Sequence, residues 1–251
     1  MLSIDFIPPV IAHRGAAGYA PENTMAAFIK AKQLGVNWVE FDVQLTADQQ
    51  IVVFHDKTLD RTSSGRGDLS RYTYAELLEF DAGAWYQPIF AGERIPLFRD
   101  VITFIRNENM AANIELKPAV GQEAFLVKQV LSELSPLFMP HTRILFSSFS
   151  ISALECLRKQ SAHCLLGLLM EEWLVDWGAI CAMLQCVSVH TNHQHLDPQR
   201  VQSIKARSKK VLCYTVNSLS RAKELFSWGV DAIFSDYPDK MLVNGVGDTP
   251  T

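Results

Sequence analysis

Short apolar, β-branched runs alternate with segments of helical length along almost the whole of this 251-residue chain. The runs are 10–13, 38–45, 51–55, 112–117, 143–147, 163–169, 186–190, 210–216 and 232–235. Strands that are apolar on both faces must be covered on both. Strands joined through helices pair in parallel. One gap breaks this rhythm. Leu45 and Ile51 are separated only by Thr46-Ala47-Asp48-Gln49-Gln50, whereas a parallel crossover needs about a dozen residues or more. The run 51–55 is therefore predicted to return antiparallel on 38–45, which leaves eight strands for a parallel sheet. Eight such units with helices between them make a (β/α)8 barrel of the TIM type. A doubly wound open sheet would need a topological switch point, and no glycine-rich dinucleotide loop marks one.

Local signals refine this frame. Pro21-Glu22-Asn23 precedes a helical pattern over 24–34, with Asn23 suited to cap it, and Gly229 closes another over 219–228. Reflecting the hairpin about the point between Asp48 and Gln49 pairs residue n with 97 minus n, which sets His55 opposite Asp42. The segment 57–96 is rich in Ser, Gly, Arg, Asp and aromatics, with one short helical pattern over 74–80. It is too long for an ordinary loop. It is expected to form a small insertion after the hairpin, a lid or cap at the barrel mouth, within a single barrel domain spanning 1–251. Residues 244–251 read as a frayed tail.

Composition excludes several function classes. A chain that is 48% hydrophobic can bury a large core. Its net charge of −4 offers no basic surface for nucleic acid. No apolar run approaches the roughly 20 residues of a membrane span, and the N-terminus has no basic region before an apolar stretch. The expected location is cytoplasmic, without stable membrane association, as a monomer or a homodimer. The five cysteines, odd in number and without a Cys-x-x-Cys pair, read as reduced core thiols.

The residues with chemical potential sit where strands end, which is the functional end of such a barrel. His13-Arg14-Gly15 follows the first strand. Glu40 and Asp42 alternate with Val39, Phe41 and Val43, so both acids share one face. His55-Asp56 ends the hairpin, and Glu115 and Lys117 repeat the two-residue spacing on the next strand. Each piece alone is commonplace, since an acid pair usually faces solvent and a lone histidine is usually a satisfied polar group. Together they form a coherent set. Three converging carboxylates suit a hard cation, Mg²⁺ or Ca²⁺, rather than structural zinc. Arg14 and Lys117 suit a phosphate, and two histidines can share base and acid work. His190, His193 and His195 have no carboxylate or cysteine at metal-binding spacing; of these, His190 is placed to line the pocket.

The ordered set of motifs resembles the glycerophosphodiester phosphodiesterases. It comprises His-Arg-Gly at 13–15, Pro-Glu-Asn-Thr at 21–24, Glu-Phe-Asp-Val at 40–43, Thr-x-Asp at 46–48, Val-Phe-His-Asp at 53–56, Leu-x-Arg-Thr at 59–62, Ile-Glu-Leu-Lys-Pro at 114–118, Ser-Ser-Phe at 147–149, Tyr-Thr-Val-Asn at 214–217 and Gly-Val-Asp-Ala-Ile-Phe-Ser-Asp at 229–236. The stretches 81–86, 111–118 and 187–196 look most like its small cytosolic bacterial members linked to glycerol 3-phosphate uptake. The resemblance implies hydrolysis of a glycerophosphodiester, such as glycerophosphocholine or glycerophosphoethanolamine, to sn-glycerol 3-phosphate and an alcohol. It further implies one divalent cation, Mg²⁺ or Ca²⁺, held by Glu40, Asp42 and Glu115. His13 and His55 would be the acid/base pair, Arg14 and Lys117 phosphate contacts, and Glu22 and Asp56 their supports. Tyr214, where many relatives carry tryptophan, would contact substrate. Direct attack by water and attack by a glycerol hydroxyl remain open, as does which histidine is the base. The alternative is a phospholipase-type phosphodiesterase acting on lysophospholipids, for which Trp85, Tyr86 and Phe90 would supply an apolar rim.

Overall fold

The computed structural model describes residues 7–135 and 143–242; the expected tail, 244–251, lies outside them. Nine strands are formed among the described residues: β1 (Val10–Ala12), β2 (Trp38–Leu45), β3 (Ile51–Val53), β4 (Ala111–Leu116), β5 (Ile144–Ser148), β6 (Leu165–Met170), β7 (Ser188–Asn192), β8 (Lys210–Tyr214) and β9 (Ala232–Ser235). The helices are α1 (Met25–Gln33), α2 (Tyr74–Leu77), α3 (Phe98–Asn107), α4 (Glu123–Leu134), α5 (Ile151–Gln160), α6 (Trp177–Met183), α7 (Pro198–Lys205), α8 (Leu219–Trp228) and α9 (Pro238–Leu242). Neighbouring strands run in the order β1-β9-β8-β7-β6-β5-β4-β2, and Ala12 pairs with Val39 to close the ring. All eight pairings in the ring are parallel, and β3 alone runs antiparallel, on the β2 edge that β1 uses at Val39, further along the strand at Val43–Leu45. This is the TIM-type barrel the strand pattern predicts.

Period-two alternation sorts each strand into two faces. On β2, Val39, Phe41 and Val43 belong to the large apolar layer between strands and helices. Phe41, fully buried, meets Phe28 of α1 edge-on at 5.7 Å between ring centroids and Phe98 of α3 at 6.2 Å. The intervening residues, Trp38, Glu40 and Asp42, therefore face the barrel axis. Inside, an apolar floor of Ile11, Trp38, Ala111, Leu145, Leu212 and Phe234 closes the N-terminal end. The next inward positions on four strands are Glu40, Asn113, Ser147 and His190, all buried and polar. Gly167 makes room for that layer, because a Cβ there would lie 2.4 Å from His190 Nε2.

Three local expectations are corrected. The hairpin register is one residue short of the predicted one: Val43 pairs with Val53 and Leu45 with Ile51, so Phe54 rather than His55 stands opposite Asp42. The turn is symmetric about Asp48, with the Thr46 amide donating to Gln50 O and the Gln49 amide to Thr46 O. This register puts Val53 in the outer core beside Val43, where a slip of one would turn it the other way. Second, Asn23 does not cap α1. Thr24 occupies the capping position without a side-chain cap, while Asn23 adopts a left-handed φ of 57° and turns its side chain to the acids. The short helix expected over 74–80 is formed only as α2, opened by a Thr73–Glu76 capping box. Gly229 ends α8 in the left-handed conformation, as expected.

The segment after β3 has an apolar cluster of its own. Leu59, Leu69, Leu77, Ala82 and Ile95 pack there with Val52 and Phe54. The Val53 amide, donating to Pro96 O, ties its two ends together. Asp81 organises its second half by accepting the amides of Gly83, Ala84 and Gly92. All five cysteines are free thiols. Among the described residues no helix is long and apolar enough to cross a membrane.

Candidate active site

The turn that follows β1 is built for close approach. Arg14 and Gly15 both have positive φ, 51° and 79°. A Cβ on Gly15 would lie 2.7 Å from Ala27 Cβ, so only glycine fits. The amides of the turn hold the neighbouring strand: Arg14 N donates to Glu40 Oε2 at 2.9 Å and Gly15 N to Glu40 O at 3.3 Å. His13, launched from the strand end, sets Nδ1 2.7 Å from Asp236 Oδ1. Asn217 fixes that aspartate, donating from Nδ2 to Oδ2 at 2.6 Å and accepting the Asp236 amide on Oδ1. Burial alone would raise Asp236; the bonds from His13 and Asn217 hold its carboxyl below the usual range.

His55 has the same arrangement, with Nδ1 2.5 Å from Asp56 Oδ1. Since an ionised carboxylate only accepts, each imidazole carries a proton on Nδ1, which turns Nε2 to the chemistry as the atom that takes or gives a proton. Arg61 locks the second pair in place. Its guanidinium meets both oxygens of Asp56 at 2.6 and 2.9 Å and both oxygens of Glu22 at 2.7 and 2.8 Å. The bonds from Arg61 and then His55 hold Asp56 far below the ordinary carboxylate range. Glu22 also accepts from Arg14 Nη1 at 2.6 Å. Gln44, two residues beyond Asp42 on β2, explains how His55 reaches the site although the register carries it past Asp42. Its Nε2 donates to three successive carbonyls, Phe54 O at 2.8 Å, His55 O at 3.1 Å and Asp56 O at 2.8 Å. The chain is thereby turned off the ladder and across the barrel mouth.

Glu40, Asp42 and Glu115 are buried, with one oxygen from each within 4.8 Å of the others. Lys117 Nζ stands 3.4 Å from both Asp42 Oδ1 and Glu115 Oε1, Arg14 Nε is 3.6 Å from Asp42 Oδ2, and Asn23 Nδ2 donates to that oxygen at 2.8 Å. Burial and the neighbouring carboxylates push Glu40 well up and Glu115 to about 7. Burial opposes ionisation of Asp42 too, but Lys117, Arg14, His55 and Asn23 outweigh it and bring Asp42 to about 2. One lysine and one arginine thus do not neutralise three inward acids. Asp42 Oδ1 and Glu115 Oε1 are buried without a hydrogen bond. Oxygen ligands around Mg²⁺ or Ca²⁺ lie no more than about 5 Å apart. The donor set fits one hard divalent cation, and these three residues could hold it.

A cavity of about 190 Å³ opens beside the cluster, walled by His13, Arg14, Glu40, His55 and Glu115 on one side and by Phe149, Glu171 and Tyr214 on the other. Asp42 and Lys117 belong to the cluster without lining this cavity. His190 lines its inner end; burial drives its imidazole to about 3, so it is neutral. A second cavity of about 210 Å³ shares His13 and Arg14 and adds Glu22, Asp236, Tyr237 and, from the segment after β3, Tyr86. His193 and His195 stand apart from the acids, beside Arg221 and Glu172. The sequence patterns did not mark Asp236, Asn217, Arg61, Gln44 or Glu171 for a role, although several stand within the quoted motifs.

The sequence profile of the glycerophosphoryl diester phosphodiesterase family matches residues 13–240. The chain belongs to that family. This family member is 34% identical over 237 residues to a glycerophosphodiester phosphodiesterase of Caldanaerobacter subterraneus subsp. tengcongensis, a match covering 93% of this chain and 96% of the relative. It is 38% identical to a phosphodiesterase of Oleispira antarctica solved in complex with the product sn-glycerol-3-phosphate, with a TM-score of 0.92 over 94% and 96% of the two chains. A glycerophosphodiester phosphodiesterase from Agrobacterium tumefaciens matches at 26% identity, a TM-score of 0.79 and coverage of 94% and 99%. The enzyme is a phosphoric diester hydrolase on a barrel scaffold.

Proposed function

We propose that this enzyme hydrolyses glycerophosphodiesters such as glycerophosphocholine and glycerophosphoethanolamine, releasing sn-glycerol 3-phosphate and the free alcohol. The observation that carries the reading is the pair of aspartate-held histidines, His13–Asp236 and His55–Asp56, standing beside the buried acids Glu40, Asp42 and Glu115. One imidazole, entering neutral, takes a proton from the nucleophile on Nε2, while the other, entering doubly protonated with Nδ1–H on its aspartate, gives its Nε2 proton to the departing alkoxide. A P–O bond to the nucleophile forms, the P–O bond to the alcohol breaks, and the proton balance closes between the two rings. The nucleophile is water, or a glycerol hydroxyl whose cyclic phosphate product is then hydrolysed.

Glu40, Asp42 and Glu115 would hold one divalent cation, Mg²⁺ or Ca²⁺, which when bound would supply positive charge against the negative charge that builds in the transition state. Arg14 and Lys117 orient and neutralise the phosphate, Arg14 with a planar fork and Lys117 as a point charge. Tyr214 forms part of the substrate wall. Segment 57–96 is an insertion within a single barrel domain and covers the mouth, with Tyr86 reaching the second cavity. The same reading places the enzyme in the cytoplasm, acting on small molecules, with no nucleic acid or stable membrane partner, as a monomer or a homodimer.

The test is release of sn-glycerol 3-phosphate from glycerophosphocholine with and without EDTA. Activity should vanish on chelation and return with Mg²⁺ or Ca²⁺; turnover that survives thorough chelation would remove the cation from the reading. His13→Ala and His55→Ala should each lose about 10²–10⁴-fold in kcat with unchanged circular dichroism. Lysophosphatidylcholine as a parallel substrate decides the phospholipase-type alternative, for which Trp85 and Ile89 offer exposed apolar surface.

A further inference from the structure

The segment after β3 reaches the chemistry through one side chain, Arg61. The backbone around it is braced. The Leu59 amide donates to Gly67 O at 2.9 Å, Ser63 Oγ donates to Leu59 O at 2.7 Å, and the Ser64 amide donates to Asp81 O at 2.8 Å. Leu59 itself is fully buried in the segment's own apolar cluster. From that base the guanidinium reaches Asp56, where the hairpin ends, and Glu22, in the turn after β1.

Each edge of the guanidinium meets one carboxylate. Nε and Nη2 donate to Asp56 Oδ2 and Oδ1 at 2.6 and 2.9 Å, and Nη1 and Nη2 donate to Glu22 Oε2 and Oε1 at 2.7 and 2.8 Å. Four of its five hydrogens are thereby used. Nη2 is common to both edges, and the two oxygens it touches are the ones that hold the reacting groups. Asp56 Oδ1 also meets His55 Nδ1 at 2.5 Å, and Glu22 Oε1 also accepts from Arg14 Nη1 at 2.6 Å. An unbroken line of contacts therefore runs from His55 Nδ1 through Asp56 Oδ1, Arg61 Nη2 and Glu22 Oε1 to Arg14 Nη1. Burial alone would raise Glu22; Arg61 and Arg14 keep its carboxyl below the usual range, so it accepts from both.

We propose that Arg61 is a positioning residue that couples the His55 imidazole to the Arg14 guanidinium, so that one planar fork sets both the group that moves a proton and the group that grips phosphate. This rests on the hydrolytic reading above and gives the segment after β3 a part in the reaction beyond covering the mouth. In-plane bonds at two edges fix the guanidinium plane, so neither carboxylate turns without disturbing the other. An ammonium is a point charge without such edges and does not replace the fork.

The experiment measures kcat/KM for glycerophosphocholine in Glu22→Ala, Asp56→Ala and the double variant, with Arg61 present and in Arg61→Ala. With Arg61 present the two losses should overlap, the double variant falling short of their product by about 2- to 150-fold, the range for residues in one ion-pair network. In Arg61→Ala the two losses should multiply to within about twofold. Arg61→Ala alone should lose about 10- to 150-fold, the range of a hydrogen bond between charged groups, through a lower kcat and a higher KM. Guanidinium, at a concentration that leaves the unfolding signal unchanged, should restore part of that activity, and methylammonium at equal ionic strength should not. Losses that multiply with Arg61 present would overturn the coupling. So would recovery by neither cation or equally by both, and so would Arg61→Lys kinetics equal to wild type. An Arg61→Ala enzyme with a lower urea midpoint but unchanged kcat and KM would reduce Arg61 to a brace of the fold and overturn its positioning role. The cycle with Arg61 present needs no Arg61 variant, so it decides the proposal even where Arg61→Ala does not fold. Each of these results leaves the hydrolytic reading standing; a wild type without turnover would overturn both.

Discussion

Gln44 is the strongest test of how the barrel positions its chemistry. Its amide nitrogen, with two hydrogens, serves three carbonyl oxygens at 2.8, 3.1 and 2.8 Å. They belong to Phe54, His55 and Asp56, the residues at which the chain leaves the β2–β3 ladder. Gln44→Met keeps the length of the side chain and removes the donors. A protein hydrogen bond contributes about 0.5–1.5 kcal/mol net, so the two bonds the amide can make bias this segment by about 1–3 kcal/mol. If that bias sets the population of the competent His55 position, kcat falls about 5- to 150-fold, since 1.4 kcal/mol is a factor of ten. KM should move much less, because the phosphate contacts and the acids are untouched. The assay is steady-state hydrolysis of glycerophosphocholine at saturating cation, with urea unfolding run in parallel to show that the variant is folded. A Gln44→Met enzyme with kcat within twofold of wild type would refute the reasoning. So would a variant whose entire loss lies in KM.

Three further outcomes follow from particular contacts. Asp236→Asn puts a possible donor against His13 Nδ1 and favours the tautomer with its proton on Nε2; kcat should fall by on the order of 10³–10⁴-fold without loss of fold, and a variant within tenfold of wild type would remove Asp236 from the proposed mechanism. Phe41→Ala opens a cavity between β2, α1 and α3 and should lower unfolding free energy by about 3–5 kcal/mol, read as a shift in the urea midpoint at constant slope. Asp81, held below the usual carboxylate range chiefly by the amides of Ala84 and Gly92, gives a pH test. A carboxyl lowered in the folded state contributes stability fully above its unfolded value near 3.9, and that contribution is lost as the pH falls through the lower folded value. The stability difference between wild type and Asp81→Asn should therefore be largest at neutral pH and shrink below about pH 4; a difference that stays constant from pH 7 to pH 3 would count against it.

Much of the site was legible because strand periodicity is a local property. Val39, Phe41 and Val43 needed an apolar layer, so Glu40 and Asp42 had to face the other way, and Glu115 with Lys117 repeated the pattern on the adjacent strand. The five-residue gap at 46–50 excluded a parallel crossover and so identified the hairpin. Its register was not legible, because the hydrogen bonds of the turn around Asp48 select it and neighbouring registers differ by one residue. Asn23 looked like a cap because Asn is common there; whether its side chain turns to the helix or to Asp42 depends on a strand that arrives 19 residues later.

Taken alone, the order of residues determined the barrel, the three acids and the two histidines, since each follows from pattern and residue chemistry over a few positions. Only the closed ring decided the rest. His13 and Asp236 are 223 positions apart and meet because β1 pairs with β9. Glu22 and Asp56 share Arg61 because the turn after β1 and the segment after β3 converge on one rim. Glu171 lines the same cavity as Glu40 and Glu115 because β6 stands on the far side of the ring, opposite β1. Hydrogen bonds and charge pairs act over a few ångströms of space whatever the distance along the chain, so they become visible only once the strands have closed.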